Sequence, residues 1–329
     1  MNELPIVDMS GVRDGDRAAM ERAARQIHQA FTTVGFLYIS THGLPEAVIT
    51  ETVREAQGFF RQPTEKKREV AINKRHRGFN ALGDALMYEA SKPDYKEFYT
   101  IGLELAEDDP DVVAGEPLLG PNNWPADRPG LRHAMSRYYE EIGRCGADLL
   151  SCVAISLGLE QDFFREKYRK RLQRTQLIYY PPHPAGAPAD QFGLAPHTDF
   201  GCITLLWQDQ NGGLEVLERQ SKAWIAATPV PGTLVVNVGD LLARWTNDRY
   251  ASTPHRVINA SGRERFSIAT FYDPDFKADV DPRQLGVPAS ECRYEPTTSG
   301  AHILGRIERS FGYRKTLAAA ADRVPPSLP

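Results

Sequence analysis

From residue 172 onward the chain breaks into short β-rich runs: TQLIYYP, CITLLWQ, GLEVLE, TLVVNVG, HRVINA and RFSIATFYD. Gly, Pro, Asn and Asp separate them, residues that supply the backbone angles of turns. Strands this short, evenly spaced and rich in β-branched and aromatic residues cannot bury their apolar faces singly, so they close into a sandwich or barrel.

Ahead of residue 172 the pattern is helical. Stretches over about 16–34, 45–60 and 128–157 repeat apolar residues at helical spacing. In the third, Leu131, Met135, Tyr138, Ile142, Cys145, Leu149, Val153 and Ile155 make a nearly continuous stripe, with Gly158 as its stop. LPIVDM, GFLYIS and PDYKEFYTIG interrupt the helices as strand-like pieces, and residues 70–125 are otherwise irregular. FFREKY predicts a shorter helix, and a last helix is predicted over 304–320. The stripe needs a large apolar partner, and the outer face of the barrel is the available one. The economical fold is therefore α+β with a mainly β core, a jelly roll under an amino-terminal helical layer. Its predicted parts are residues 1–171, an α/β region integral to the fold; 172–303, the jelly-roll core; and 304–329, a terminal helix and tail.

Composition narrows the function classes. A hydrophobic content of 41% over 329 residues suffices for a substantial core, and a net charge of -4 gives no electrostatic reason to expect nucleic acid or an anionic membrane. The start, MNELPIVDMSG, carries acids where a signal peptide needs a basic and then apolar run, and no apolar stretch approaches bilayer-spanning length. Cys145, Cys152, Cys202 and Cys292 form no C-x-x-C pair, so neither a disulfide framework nor a zinc–thiolate site is indicated. The expectation from composition is a soluble cytoplasmic protein, with its oligomeric state unspecified.

The chemistry-bearing residues begin in PHTDFGCITLLWQD. In extended backbone His197 and Asp199 share a face. An isolated His-x-Asp is more often a turn pair bonded to local backbone. Here His255 follows Asp199 by 56 residues and opens the run HRVINA, so all three can face one interior. Two imidazoles and one carboxylate leave coordination positions open, the arrangement of non-haem Fe(II) oxygenases. Zinc would accept the same ligands without being able to transfer electrons to oxygen. Arg265 and Ser267 likewise share a face. A guanidinium inside an apolar barrel needs an anion, whereas a surface arginine on an edge strand needs none.

Taken in order, PHTDFGCITLLWQD, GGLEV, PGTLVVNVGDLLARWTNDRYASTPHRV and RFSIATFYDP resemble the isopenicillin N synthase-like branch of the iron(II)/2-oxoglutarate-dependent oxygenases. LPIVDMSG and GFLYISTHGL resemble that family's amino-terminal region. The resemblance implies a double-stranded β-helix (a cupin-like jelly roll), with His197, Asp199 and His255 as iron ligands. It also implies that Arg265 and Ser267 hold the distal carboxylate of 2-oxoglutarate, with Tyr180 touching the same group. The required small molecules are then Fe(II), 2-oxoglutarate and O2, with ascorbate as a candidate reductant. Asp199 favours hydroxylation, desaturation or ring closure, because related halogenases replace this carboxylate with a small residue. Arg77, Phe79 and Asn80 fall in the irregular segment that the family uses over its active site, which makes them candidate substrate contacts. Plant members usually show Asn-Tyr-Tyr-Pro where this chain has Ile178-Tyr179-Tyr180-Pro181. The Arg-x-Ser pair reports an anion without saying which, since isopenicillin N synthase uses it for a substrate carboxylate. A 2-oxoglutarate-independent oxidase, a zinc-dependent cupin-like hydrolase and a non-catalytic binding protein stay open at this point.

Overall fold

A computed structural model describes residues 3–84, 92–183, 186, 188 and 190–310 of the chain. After β1 (Ile6–Asp8), helix α1 (Arg17–Thr33) starts where Asp16 accepts hydrogen bonds from the Ala18 and Ala19 amides. That cap satisfies two of the amides a helix start leaves unpaired. The buried face of α1 runs through Met20, Ala23, Ala24, Ile27 and Phe31. Gly35 (φ 72°) then turns the chain into β2 (Phe36–Ser40), and a side chain there would collide with the Ala251 carbonyl. Next come α2 (Glu46–Phe60), α3 (Thr64–Arg68), β3 (Gly78–Asn80), β4 (Glu97–Gly102) and α4 (Pro110–Val113). The long helix α5 (Pro129–Ser156) buries the predicted stripe from Leu131 to Val153, leaves Ile155 half-buried, and packs against both α1 and α2.

The core strands are β5 (Arg174–Tyr180), β6 (Leu194–His197), β7 (Ile203–Gln208), β8 (Leu214–Leu217), β9 (Trp224–Ala226), β10 (Thr233–Val238), β11 (His255–Val257) and β12 (Arg265–Tyr272). Helix α6 (Asp240–Trp245) joins β10 to β11, and α7 (Ser299–Ser310) closes the described chain. One sheet has the order β1-β2-β10-β7-β12-β5-β4-β3, and the facing sheet β6-β11-β8-β9. This is the expected jelly roll. Its larger sheet is extended at both edges by amino-terminal strands, with β2 antiparallel to β10 and β4 antiparallel to β5.

Three local expectations shift. β6 and β9 have no counterpart among the predicted runs. FFREKY gives only a single 3-10 turn over Arg165–Tyr168. The last helix begins at Ser299 instead of 304, because the Thr298 hydroxyl accepts from the Ala301 amide and starts it early, while the predicted end at 320 lies outside the described residues.

Register builds the floor of the central cavity. On β12, Arg265, Ser267, Ala269 and Phe271 point one way. Their partners on β5 are Tyr180, Ile178, Gln176 and Arg174, and on β7 Gln208, Leu206 and Thr204 face Ser267, Ala269 and Phe271. The floor therefore carries one arginine at each end.

Candidate active site

His197 is the last residue of β6 and His255 the first of β11, and the two are direct partners across the antiparallel pair. Their rings lie 4.2 Å apart. Each Nδ1 is engaged by a backbone carbonyl, His197 with Ala195 at 2.8 Å and His255 with Thr253 at 3.2 Å. A carbonyl only accepts, so each Nδ1 carries the proton and each Nε2 keeps its lone pair. Asp199 is not at the head of a strand, as the i, i+2 spacing suggests; it sits in the connection that carries the chain from one sheet to the other. Two donors aim it: Thr204 Oγ1 at 2.6 Å and Asn237 Nδ2 at 2.7 Å, both on Oδ2. Oδ1 is left facing the imidazoles, 3.6 Å from His197 Nε2 and 3.7 Å from His255 Nε2. One ligand atom from each residue falls within 4.8 Å of the others. Two nitrogens and one carboxylate oxygen, each oriented by an outer hydrogen bond, suit Fe(II) with positions to spare.

The connection holding Asp199 is itself tied down. Its carbonyl accepts from the Asp240 amide at 2.7 Å, and the Asp240 carboxylate accepts from Thr198 and Ser252, the latter just before His255. Arg306 of α7 pairs with the same carboxylate at 2.6 Å. Gly201 leaves room for the buried Asp273, whose Oδ1 accepts from the Cys202 amide at 2.7 Å.

Burial pushes His255 down to about 4, so it is neutral near pH 7 and able to donate its lone pair. Burial works against the Asp199 carboxylate too, but the imidazoles beside it and the Asn237 amide hold it well below the usual carboxylate range. Asn237 and Thr204, both donating to Oδ2, supply fixed dipoles that favour the charged carboxylate whatever the state of the imidazoles.

At the far end of the floor, Arg265 is fully buried. Its guanidinium donates to the Gly212 carbonyl (2.6 Å), Gln208 Oε1 (3.2 Å) and Ser267 Oγ (3.4 Å), and it lies 4.7 Å from the Tyr180 ring centre. Among the described residues no carboxylate pairs with it. A buried cation without an anion is costly, so this end of the cavity is built to receive one.

The structure brings His197, Asp199, His255, Arg265, Ser267 and Tyr180 to one cavity, and Arg77, Phe79 and Asn80 do not line it. Arg77 directs its guanidinium at the Arg75 and Leu118 carbonyls, and Phe79 packs edge-on against Phe59 behind β4. Asn80 is buried opposite Phe98. Their neighbour His76 reaches the cavity instead, with Lys96, Arg174, Gln176 and Phe271. The sequence does mark several of the residues it leaves unassigned: Thr204 and Asn237 are polar residues inside largely apolar strands, and Arg174 and Gln176 are buried in the polar first half of β5. Such positions are rare unless a partner awaits them.

Comparison with known proteins agrees with this geometry. A family model described as the 2OG-Fe(II) oxygenase superfamily matches residues 172–274, and one described as the amino-terminal region of non-haem dioxygenase in morphine synthesis matches residues 4–127. The 2-oxoglutarate-Fe(II) type oxidoreductase hxnY of Emericella nidulans is 34% identical, over 96% of this chain and 94% of its own length. The chain belongs to the 2-oxoglutarate–Fe(II) oxygenase superfamily. Among solved structures, a full-length Neurospora crassa protein in complex with alpha-KG and thymine superposes with TM-score 0.81 at 30% identity, covering 92% of this chain and 96% of that one. JOX2 in complex with 2OG, Fe and JA gives TM-score 0.77 at 28% identity, covering 94% and 86%. The protein is thus a non-haem dioxygenase that uses Fe(II), 2-oxoglutarate and O2 to oxidise a small molecule. No helix among the described residues is long and apolar enough to cross a membrane.

Proposed function

We propose that His197, Asp199 and His255 hold the iron, and that Arg265, supported by Ser267 and Tyr180, holds the far carboxylate of 2-oxoglutarate while a small molecule is hydroxylated, desaturated or cyclised beside it. Bound iron with 2-oxoglutarate and oxygen supplies the oxidising power, and the protein supplies orientation and shelter. The observation that carries the reading is the buried Arg265, which no carboxylate among the described residues pairs with, in the same cavity as the triad. Ser267 adds a neutral donor, and the Tyr180 ring under the guanidinium fixes its plane. Leu194, Leu214 and Val257 line the cavity as apolar walls, which exclude water and strengthen the ion pair. The thymine held by the Neurospora crassa relative supports a primary substrate of that size. Three of the four free cysteines are buried, which suits the reducing cytoplasm. The pairing of β2 with β10 supports a single folding unit over residues 1–171 and 172–303.

Anaerobic titration of 2-oxoglutarate into the iron-loaded protein, followed by the metal-to-ligand absorption band, tests the reading. A charge-assisted hydrogen bond is worth roughly 1.5–3 kcal/mol and a neutral one about 0.5–1.5. Arg265→Ala should therefore weaken the co-substrate far more than Ser267→Ala, and Arg265→Lys should recover only part of the loss. Wild-type affinity in Arg265→Ala would reassign the pair to a substrate carboxylate and favour an oxidase that takes all its electrons from the substrate.

A further inference from the structure

The cavity floor holds a second buried arginine that the co-substrate does not reach. Arg174 faces Phe271, six residues along β12 from Arg265, which is roughly 20 Å at the rise of an extended strand. A five-carbon acid anchored at Arg265 is far shorter than that. Phe271 is flanked on its other side by Thr204, which donates to Asp199, so Arg174 lies two strand spacings, about 10 Å, from the strand that orients the carboxylate ligand. A molecule held at Arg174 by one end would present its other end to the metal.

The two arginines differ in charge balance. Arg174 donates to the buried Asp273 at 3.0 Å and is neutralised by it, whereas Arg265 has no such partner among the described residues. Asp273 also accepts from the Cys202 amide, so both of its oxygens act as acceptors. The Arg174 Nε–H is buried and has no hydrogen-bond partner among the described residues. Beside it on the same face, the Gln176 amide makes no side-chain hydrogen bond among the described residues, although the residue is 8% exposed. Buried donors are almost always satisfied in native proteins, so the Arg174 Nε–H is built for an acceptor that arrives with a ligand, and the Gln176 amide lines the cavity beside it. Because the Arg174–Asp273 pair is already neutral, a second carboxylate would stay uncompensated in a buried site, while a neutral carbonyl oxygen adds no charge. Phe271, Ala269, Leu206 and Phe36 supply apolar walls for the rest of the molecule.

We infer that Arg174 and Gln176 anchor the primary substrate, and that this substrate is a small, largely apolar molecule presenting a neutral carbonyl oxygen. The inference rests on the assignment of Arg265 to 2-oxoglutarate. It is tested on the protein loaded anaerobically with Fe(II) and 2-oxoglutarate, by adding benzamide, uracil or 2-piperidone, and benzoate as the charged counterpart of benzamide. The shift of the metal-to-ligand band reports binding beside the metal. At least one neutral carbonyl compound should shift the band, and benzamide should bind more tightly than benzoate. Arg174→Lys keeps a cation for Asp273 but removes the Nε–H, and it should weaken the effective compound by roughly tenfold or more. Gln176→Leu breaks no side-chain bond among the described residues and should weaken it by about threefold to tenfold. Tighter binding of benzoate, no response to any of the three neutral compounds, or wild-type affinity in both variants would overturn the inference. Formation of the band on adding 2-oxoglutarate alone, and its weakening in Arg265→Ala, test the co-substrate assignment separately.

Discussion

Replacing Thr204 by valine keeps the shape of the side chain and removes one hydrogen bond to Asp199. Thr204 and Asn237 both donate to Oδ2, at 2.6 and 2.7 Å, and both are buried, so no solvent stands ready to replace either donor. A hydrogen bond to a charged group contributes roughly 1.5–3 kcal/mol. The remaining donor still holds the carboxylate, which puts each single loss near the low end of that range. Loss of an outer-shell partner usually costs about 10–100-fold in metal affinity. We therefore expect Thr204→Val and Asn237→Leu each to weaken Fe(II) or Mn(II) binding by about tenfold, near 1.4 kcal/mol. The double variant should lose more than the product of the two, because Asp199 is then free to rotate. Chelator competition under anaerobic conditions measures this, with circular dichroism to confirm folding. In the metal-free protein Asp199 is held below its unfolded range, so its contribution to stability is present above about pH 4 and lost as the pH falls further. The difference in urea midpoint between wild type and Thr204→Val should shrink accordingly below about pH 4. Metal affinity unchanged in both single variants would refute the claim that these donors orient the ligand.

Gly201→Ala should cost more than about 3 kcal/mol and release the metal, because its side chain would be driven into Asp273; a melting scan and iron assay that both match wild type would contradict this. Burial holds His255 and His302 neutral, each down to about 4, so metal-free protein should lose stability as the pH falls from about 6.5 towards 4, by at most about 3 kcal/mol per group. His302→Asn should remove part of that slope in denaturant melts between about pH 7 and 4.5, and an unaltered slope would exclude His302 as a source. Residues 172–329 expressed alone should fail to fold, since β10 and β5 each lose a neighbour and the cavity loses Phe36. A soluble fragment with a cooperative melt would contradict it.

The part of the site most legible in the sequence is the part fixed by short spacing. His197 and Asp199 are two residues apart, as are Arg265 and Ser267, and both pairs converge in the structure because little chain separates their members. Even so, the alternation of a strand is the wrong reason for Asp199 to point inward: Thr204 and Asn237 steer it from another sheet, and no i, i+2 rule contains them. β6 escapes the pattern because LAPH is four residues long and contains proline, which breaks the usual strand signature. For Arg77, Phe79 and Asn80 the sequence offers only the irregularity of their segment. Burial decides their direction, since the aromatic cluster of Phe59, Phe79 and Tyr99 draws that strand into the core. Arg174 and Gln176 stand out as polar residues within RTQLIYY, but only register places them opposite the arginine at the far end.

The pairing of β2 with β10 also sets a timetable for synthesis. FLYIS emerges from the ribosome roughly 190 residues before TLVVNV, its antiparallel neighbour. At about 5–20 residues per second, that edge stays unpaired for some 10–40 s. The segment is apolar, uncharged and free of proline, the composition of a strand that pairs indiscriminately. β1 can cover one edge and α1 one face in that interval, because both precede it in the chain; the other edge waits. Slowing translation between residues 40 and 233 prolongs that wait. The yield of folded protein in a cell should therefore depend on elongation rate and chaperone supply more than its final stability would suggest.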